Sequence, residues 1–386
     1  MTTVAPLHED LLSRRSDYPV LAHKTYLASH TLGAMHAGTP GRLAHFAELW
    51  ATDGVVAWEQ WQPEVRRVGD LVGSLIGAPA GTTVMRQNVA DLLGDVISCL
   101  DWRGPRNRVV TSSHEWPGSL NTWSQIERLG GEAVVVPGAG IELDLEAMLA
   151  AIDERTQVVE CSHVLFRTAT LNDVKPLIDR AHEVGALAVI DGYQAAGTVP
   201  VDVVALGADI YLGGSVKYLS GGPGNGWMYV RPGLDLEPVT TGWFGQARPF
   251  DFDPDNHYAE GVARFAGGTP GVPAHYAAAP AYEALVSIGM QRIRERSVSM
   301  TQPLVESALE RGFAVRSPLD PSRRGGHVTI DPGRTPGDSQ RIHDALHAQG
   351  FVVDHRPGVG IRVSLHFYNS LDEGLACLDA MQAAAG

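Results

Sequence analysis

The stretch ALAVIDGYQAAGTVPVDVVALGADIYLGGSVKYLSGGPGNGWMYV, Ala186 to Val230, decides the fold. An apolar run, Leu187 to Ile190, ends in Asp191. A second, Ile210 to Leu212, runs into Gly213, Gly214, Ser215, Val216 and Lys217, and a third, Trp227 to Val230, follows a glycine-rich turn. Short apolar strands separated by helical or loop crossovers predict a parallel sheet, and ligands of such sheets sit beyond the carboxyl ends of the strands. The strand ends therefore bring one carboxylate, Asp191, and one amine, Lys217, to a single edge.

A carboxylate and a lysine at that edge suit pyridoxal phosphate. The cofactor needs an amine for its Schiff base and an acid that keeps the pyridine nitrogen protonated, so that the ring can act as an electron sink. Composition sharpens the case: of 30 Lys plus Arg residues only three are lysines, Lys24, Lys175 and Lys217. Arginine could not form an imine. Taken alone, Lys217 reads as a surface charge at a strand end; beside Asp191 and the glycine loop it reads as the amine of a cofactor site.

The bulk numbers bound the rest. A chain of 386 residues, 44% hydrophobic and 19% charged, has the length of two or three domains and the makeup of a water-soluble globular protein. No apolar run approaches the roughly 18 residues needed to span a bilayer, and MTTVAPLHEDLLSRR has no signal-peptide core, which predicts a cytoplasmic protein with no membrane partner. A formal charge of −14 argues against nucleic acid, whose phosphates want a basic face. Cys99, Cys161 and Cys377 lie far apart without CxxC spacing, and the histidines lack HExxH or paired-ligand spacing, so neither a disulfide framework nor a metal is expected.

Taken in order, residues 1–50 read as an N-terminal segment docked on the main domain, with Tyr26 to Gly33 as a short strand and turn. His30 there could touch substrate or satisfy the turn. Trp50, Trp58 and Trp61 are expected on one helix, packing a core or a subunit interface. Asn88 and Val89 open a helix that runs through Cys99, and free amides at a helix start can hold a phosphate, though an ordinary N-cap fits the same residues. Beyond the strand Arg108 to Ser112 lies Trp116, an aromatic that can stack on a flat ring, with His114 as the alternative. Strand and helix then alternate through residues 51–297, the large domain, with a long helical stretch expected from His275 to Arg296. Residues 298–386 change to short strands and two helices, a small α+β domain. Within it Arg362 sits mid-strand, where it could clamp a substrate carboxylate bidentately or pair with a buried acid.

With these residues in view, the chain resembles the kynureninase branch of the class V aminotransferase-like, fold type I pyridoxal-phosphate enzymes. Tyr26-Leu27 to Gly33 is similar to the family's YLxGNSLG, Glu115-Trp116-Pro117 to its xFPSD, and Phe166-Arg167-Thr168 to its YRTG. Asp191-Gly192-Tyr193-Gln194 matches WDLAH, Val216-Lys217-Tyr218-Leu219 matches YKYLN, Gly242 to Gln246 matches GWFGH, and Phe265 to Pro270 matches FxxGTP. The resemblance implies an α/β fold with a mostly parallel seven-stranded sheet between helices and a small C-terminal α+β domain. It implies pyridoxal 5'-phosphate as cofactor, with Lys217 carrying it and shuttling the α-proton and Asp191 paired to the pyridinium nitrogen. Trp116 would stack on the ring, Asn88 and Val89 would hold the phosphate, and Ser215 and Gln194 would join the cofactor set. Trp243 and Thr269 resemble positions that reach the phosphate of a neighbouring subunit, implying a homodimer with shared sites. Arg362 would bind the substrate's α-carboxylate, with His30 and Gln246 near the substrate.

The departures bear on the reaction. Val216 stands where kynureninases carry tyrosine, Ser119 at their FPSD aspartate, Gln246 at the GWFGH histidine and His30 at the YLxGNSLG asparagine. DGYQ is closer to the DGxQ of cysteine desulfurases, whose glutamine hydrogen-bonds the cofactor's phenolic oxygen, yet Cys377 falls in a terminal helix rather than on a mobile loop. The expectation is a Cβ–X lyase acting on an amino acid, a C–S lyase in preference to a kynurenine hydrolase. Transamination, decarboxylation-linked deamination and non-catalytic cofactor binding are the alternatives.

Overall fold

The computed structural model describes residues 6–333, 335 and 337–386. A first short strand, β1 (Thr25–Tyr26), precedes the central sheet: β2 (Thr83–Arg86), β3 (Arg108–Ser112), β4 (Glu132–Val136), β5 (Thr156–Ser162), β6 (Leu187–Asp191), β7 (Ile210–Gly214) and β8 (Gly226–Val230). These seven lie in the order β2-β8-β7-β6-β5-β3-β4, and every pairing is parallel except the two that β8 makes. The reason for the exception is length. A parallel crossover takes a dozen or more residues, usually with a helix, whereas only residues 215–225 join β7 to β8. The third run of the deciding stretch is therefore antiparallel, and the loop bearing Lys217 begins and ends at one edge of the sheet.

Alternation along the strands builds two apolar layers. Val109, Val158, Val189 and Leu212 face helices at Val89–Ser98 and Pro117–Trp123. Val110, Val159, Ala188 and Tyr211 face helices at Trp58–Leu75, Lys175–Glu183 and Val272–Ile288. Successive side chains of a strand point to opposite faces, so both layers must be apolar for the sheet to be buried.

A second sheet follows. Strands β9 (Ala314–Val315), β10 (His327–Asp331), β12 (Asp354–Arg356) and β13 (Gly360–Ser364) pair antiparallel in the order β12-β13-β10-β9, while β11 (Phe351–Val352) pairs in parallel with β1. Met300, Leu304, Val328, Val363 and Leu378 form its core with helices Met290–Glu310, Asp338–Ala348 and Leu371–Ala385.

Two helical expectations are corrected. The long helical stretch expected from His275 to Arg296 is made of two helices, Val272–Ile288 and Met290–Glu310, broken at Gly289, whose φ of 86° a side chain resists. The second of these helices runs across the expected domain boundary at 297/298. Trp50 is separated from Trp58 and Trp61 by a turn at Gly54–Ala57; Trp61 is buried and Trp50 is 64% exposed. Among the described residues no helix is long and apolar enough to cross a membrane.

Candidate active site

The edge where β6 and β7 end carries the chemistry. Asp191, the last residue of β6, is buried and accepts a 2.7 Å hydrogen bond at Oδ1 from the Tyr193 amide. Burial pushes its carboxyl above the ordinary range, with the Lys217 charge opposing that shift. The lysine loop is pinned at three amides: Gly33 N–H to Val216 O at 2.6 Å, Ser220 N–H to Lys217 O at 2.8 Å and Ser215 N–H to Asn225 O at 2.9 Å. Gly33 has no alternative, since a Cβ there would stand 2.1 Å from the Lys217 carbonyl oxygen.

The Lys217 amine lies 4.4 Å from the centre of the Tyr193 ring and 5.6 Å from that of Trp116. Burial pulls its pKa down to about 7, against the attraction of Asp191 and with the help of Arg362 and Arg356. At neutral pH a large share of the amine is therefore uncharged and nucleophilic.

Two cavities meet here. One, of about 250 Å³, holds His30, Lys217, Val216, Phe166, Arg356 and Arg362 on its walls. The other, of about 220 Å³, opens onto Asn88, Val89 and Ser119. Their common walls are Trp116, Asp191 and Tyr193. Asn88 caps the helix Val89–Ser98, its Oδ1 accepting from Asp91 N–H at 3.0 Å, so the amide-bearing end of a ten-residue helix faces the smaller cavity. Gly226 lets it approach, because a Cβ there would meet the Asn88 backbone at 2.8 Å.

At the far end of the larger cavity Arg362 is held on all sides. Its Nε and Nη2 donate to Asp354 Oδ2 at 2.8 and 2.5 Å, Nη1 to Phe166 O at 2.6 Å, and Nη2 also to Thr31 Oγ1 at 3.3 Å. Arg362 thus pairs with an acid, as one of its two readings expected, and it also lines the cavity. Arg356 reaches the same Oδ2 with Nε at 3.2 Å, and its guanidinium carbon stands 6.0 Å from the Trp116 ring centre. One carboxylate between two guanidinium groups leaves a net positive charge at this end.

His30 is fully buried, with Nδ1 against Ser364 Oγ at 2.6 Å and Nε2 without a partner among the described residues. Burial, Arg362 and the neighbouring His327 hold its pKa well below the usual value, so it is neutral. Gln194 donates Nε2 to His30 O at 3.0 Å, which leaves Oε1 buried and unpartnered. A flat, phosphate-bearing aldehyde suits these residues: an amine between two rings, a carboxylate beneath, a helix start to one side and an orphaned amide oxygen. The residues fit pyridoxal phosphate.

Four expected residues stand elsewhere. Ser215 is buried against Tyr282, whose hydroxyl donates to its Oγ, and lines neither cavity. Gln246 is engaged with Asn256 Oδ1 at 2.7 Å and with the His257 amide at 2.9 Å, on the wall of a separate cavity of about 390 Å³. Trp243 packs on Phe244, Phe250 and Phe252 and donates Nε1 to Pro249 O. Thr269 is exposed. Within one chain none of the four lines the two cavities: Ser215 is turned to Tyr282, and Trp243, Gln246 and Thr269 belong to the segment 241–270, which contributes no residue to either wall.

Three features escaped the sequence reading. Arg356 and Asp354 sit on one face of β12 by the two-residue period, with Asp354 directly opposite Arg362 in register. Tyr193 faces the amine, although its motif offered only a match by position. Beneath the site lie two buried acids. Glu115 takes Ser162 N–H at 2.9 Å on Oε1 and the Ser162 hydroxyl on Oε2, while Glu160 receives the Thr111 hydroxyl on Oε2 and keeps Oε1 unpartnered. Burial pushes Glu115 up to about 8 and Glu160 well above its usual range.

Comparison with known proteins agrees with this geometry. The family model described as Aminotransferase class-V matches residues 58–373. A kynureninase of Pseudomonas fluorescens is 29% identical over 365 residues, covering 90% of this chain and 86% of that protein. The uncharacterized aminotransferase YcbU of Bacillus subtilis (strain 168) is 28% identical over 374 residues, covering 96% of each. Among solved structures, the apo cysteine desulfurase of Thermococcus onnurineus NA1 superimposes with a TM-score of 0.84 at 22% identity, covering 100% of this chain and 99% of that one. The cystine C-S lyase C-DES, in complex with its reaction product cysteine persulfide, gives 0.85 at 18% identity, covering 95% and 99%. The α/β fold is thus the expected fold type I architecture, and the chain belongs to the class-V aminotransferase family.

Proposed function

We propose that the protein is a pyridoxal-phosphate enzyme that cleaves a Cβ–X bond of an α-amino acid, with an S-substituted cysteine as the favoured kind of substrate. The observation that carries this reading is the Lys217 amine over the rings of Trp116 and Tyr193, in a cavity whose wall also holds Asp191, Arg356 and Arg362. When bound, the cofactor supplies an electron sink for the carbanion at the substrate's α-carbon.

The chain's own residues do the rest. Arg356, whose guanidinium among the described residues makes an ion pair with Asp354 alone, at 3.2 Å, presents N–H donors to the substrate carboxylate, and Arg362 gives that end of the cavity a fixed shape. Lys217 takes the proton from Cα and holds it at Nζ. Asn88 and Val89 bind the phosphate, and Trp116 excludes water from one ring face. Val164, Val216 and Phe166, whose side chains offer no proton donor or acceptor, form the apolar part of the cavity wall, and the β-carbon is proposed to lie against them. Such a wall suits a leaving group that departs without help, as a thiolate does, with loss of the α-proton and closure of a Cα–Cβ double bond.

Kynureninase-type hydrolysis is the second reading, favoured by the relative from Pseudomonas fluorescens and by one observation. His30 Nε2 is the ring nitrogen of a neutral imidazole, unpartnered among the described residues and on the cavity wall, able to hold a water.

Holoenzyme given L-kynurenine and an S-alkyl-L-cysteine in separate tubes, without a keto acid, tests both by product mass spectrometry. Thiol, pyruvate and ammonia from the second tube alone support the lyase. Anthranilate and alanine from the first establish hydrolysis instead. If both tubes stay silent and amino transfer appears once a keto acid is added, the protein is an aminotransferase and the Cβ–X reading fails.

The active unit is proposed to be a homodimer. Phe250 and Phe252 are 49% and 76% exposed beside Trp243, and the 390 Å³ groove next to them is walled largely by apolar side chains. Trp243, Gln246 and Thr269 would then serve the partner's site. Sedimentation showing only monomer at assay concentration overturns this.

A further inference from the structure

The residue at the waist between the two cavities is a tyrosine. In the WDLAH motif that Asp191 to Gln194 matches, the corresponding position is alanine, so this ring is a departure of the present chain. Its placement is fixed from three directions. The Tyr193 amide is bonded to the Asp191 carboxylate at 2.7 Å, which ties the ring to the acid. The tip of the ring is seated on the end of β7, where Gly214 has no side chain; a Cβ there would stand 2.4 Å from the Tyr193 Cζ. The ring face looks at the Lys217 amine, 4.4 Å from its centre, while the amine is 5.6 Å from the Trp116 ring centre. The amine thus stands over both rings, and the two ring centres can be no more than the sum of those distances apart. Trp116, Tyr193 and Asp191 are also the walls common to both cavities.

We infer that Tyr193 is the second aromatic wall of the cofactor slot: Trp116 covers one face of the cofactor ring, Tyr193 the other, and the Tyr193 face also seats the Lys217 amine when substrate has displaced it. This deepens the cofactor assignment made under Proposed function and is independent of which bond the enzyme breaks. Two enclosing aromatics hold a flat ring by offset stacking as well as by area, and an ammonium over an aromatic face is attracted by the ring's quadrupole. The hydroxyl is incidental to both effects. The ring is what matters.

Apo-protein titrated with pyridoxal phosphate, followed by cofactor absorbance and by quenching of tryptophan fluorescence, tests the inference without any turnover. Three variants are compared: Tyr193→Phe keeps the ring, Tyr193→Leu keeps apolar bulk without it, and Tyr193→Ala removes both. Tyr193→Phe is expected to bind within about twofold of the native protein, and Tyr193→Leu about tenfold more weakly, with a faster loss of cofactor on dilution. Urea midpoints of the apo-proteins separate loss of fold from loss of binding. Equal affinity in Tyr193→Leu overturns the stacking role. Tighter binding in Tyr193→Ala than in the native protein also overturns it, since the ring would then be obstructing the slot. If neither the native protein nor any variant takes up cofactor, the cofactor assignment itself has failed.

Discussion

Arg362 and Asp354 face each other across β12 and β13, and a single oxygen of Asp354 receives both Nε and Nη2 of the arginine. Arg362 is 1% exposed, so its charge is compensated only locally. Breaking one half of a buried pair strands the other. Asp354→Asn should therefore lower unfolding free energy by about 3–5 kcal/mol in urea titration, and Arg362→Met should lower it less, because the Asp354 carboxylate left behind is less deeply buried and still has Arg356 beside it. Equal losses would mean that the pair is not buried in solution.

Arg356 shares that oxygen loosely, at 3.2 Å. If its free donors take the substrate carboxylate, Arg356→Ala raises KM roughly tenfold and leaves kcat within about twofold. Steady-state kinetics on whichever substrate proves active would decide it, and a fall in kcat at unchanged KM would contradict the assignment.

Lys217 sets a pH dependence. Only the uncharged amine attacks an aldehyde, so cofactor uptake by the apo-protein should accelerate as pH rises through about 7 and level off roughly one unit higher. Between about 7 and the ordinary value of 10.5 the unfolded chain binds more protons at this lysine than the folded one. Its contribution to stability accordingly rises with pH across that window, and Lys217→Met removes the slope as well as all turnover.

Glu115 works in the opposite sense. Burial raises it from 4.5 to about 8, so between those values the folded protein holds a proton that the unfolded chain has lost. Its contribution is full below 4.5 and is lost as pH climbs towards 8. Glu115→Gln retains an acceptor for the Ser162 amide, and its urea midpoint should decline less than that of the native protein between pH 5 and 8, which chemical denaturation at stepped pH can measure.

Gly226 offers a test of the phosphate end. Gly226→Ala drives a methyl into the Asn88 backbone and must push the helix start away from the sheet edge. Cofactor affinity should fall at least about tenfold while the remaining fold persists, as circular dichroism of the apo-protein would show. Unchanged affinity would place the phosphate elsewhere.

Much of this was legible in the sequence, and the reason is local. Asp191 and Lys217 terminate apolar strands, Asn88 precedes a helix whose cap it forms, and Trp116 follows a strand, so each position is given by its own neighbours in the chain. The break at Gly289 was missed because apolar periodicity continues through it, and only the backbone angle reveals it. Arg356 and the partner of Arg362 depend on strand register, which pairs residues eight apart through a turn. Tyr193 depends on the absence of a side chain at Gly214, a contact between the turn after β6 and the end of β7. The two buried acids were invisible because nothing around Glu160 announces which way the alternate side chains of β5 point, and nothing around Glu115, in the turn after β3, announces that it folds back onto Ser162.

The pairing of β1 with β11 carries a mechanical consequence. Leu27 donates to Val352 O at the end of β11 and accepts from Ser364 N–H at the end of β13 in the smaller sheet, while Gly33, a few residues on, donates to the carbonyl next to Lys217. A peptide backbone barely stretches. The span from Leu27 to Gly33 is thus a drawstring strung between the two sheets, and any swing of the smaller one tugs at the residue preceding the lysine. Whatever settles on Arg356 and Arg362 has a physical line to the amine it must react with.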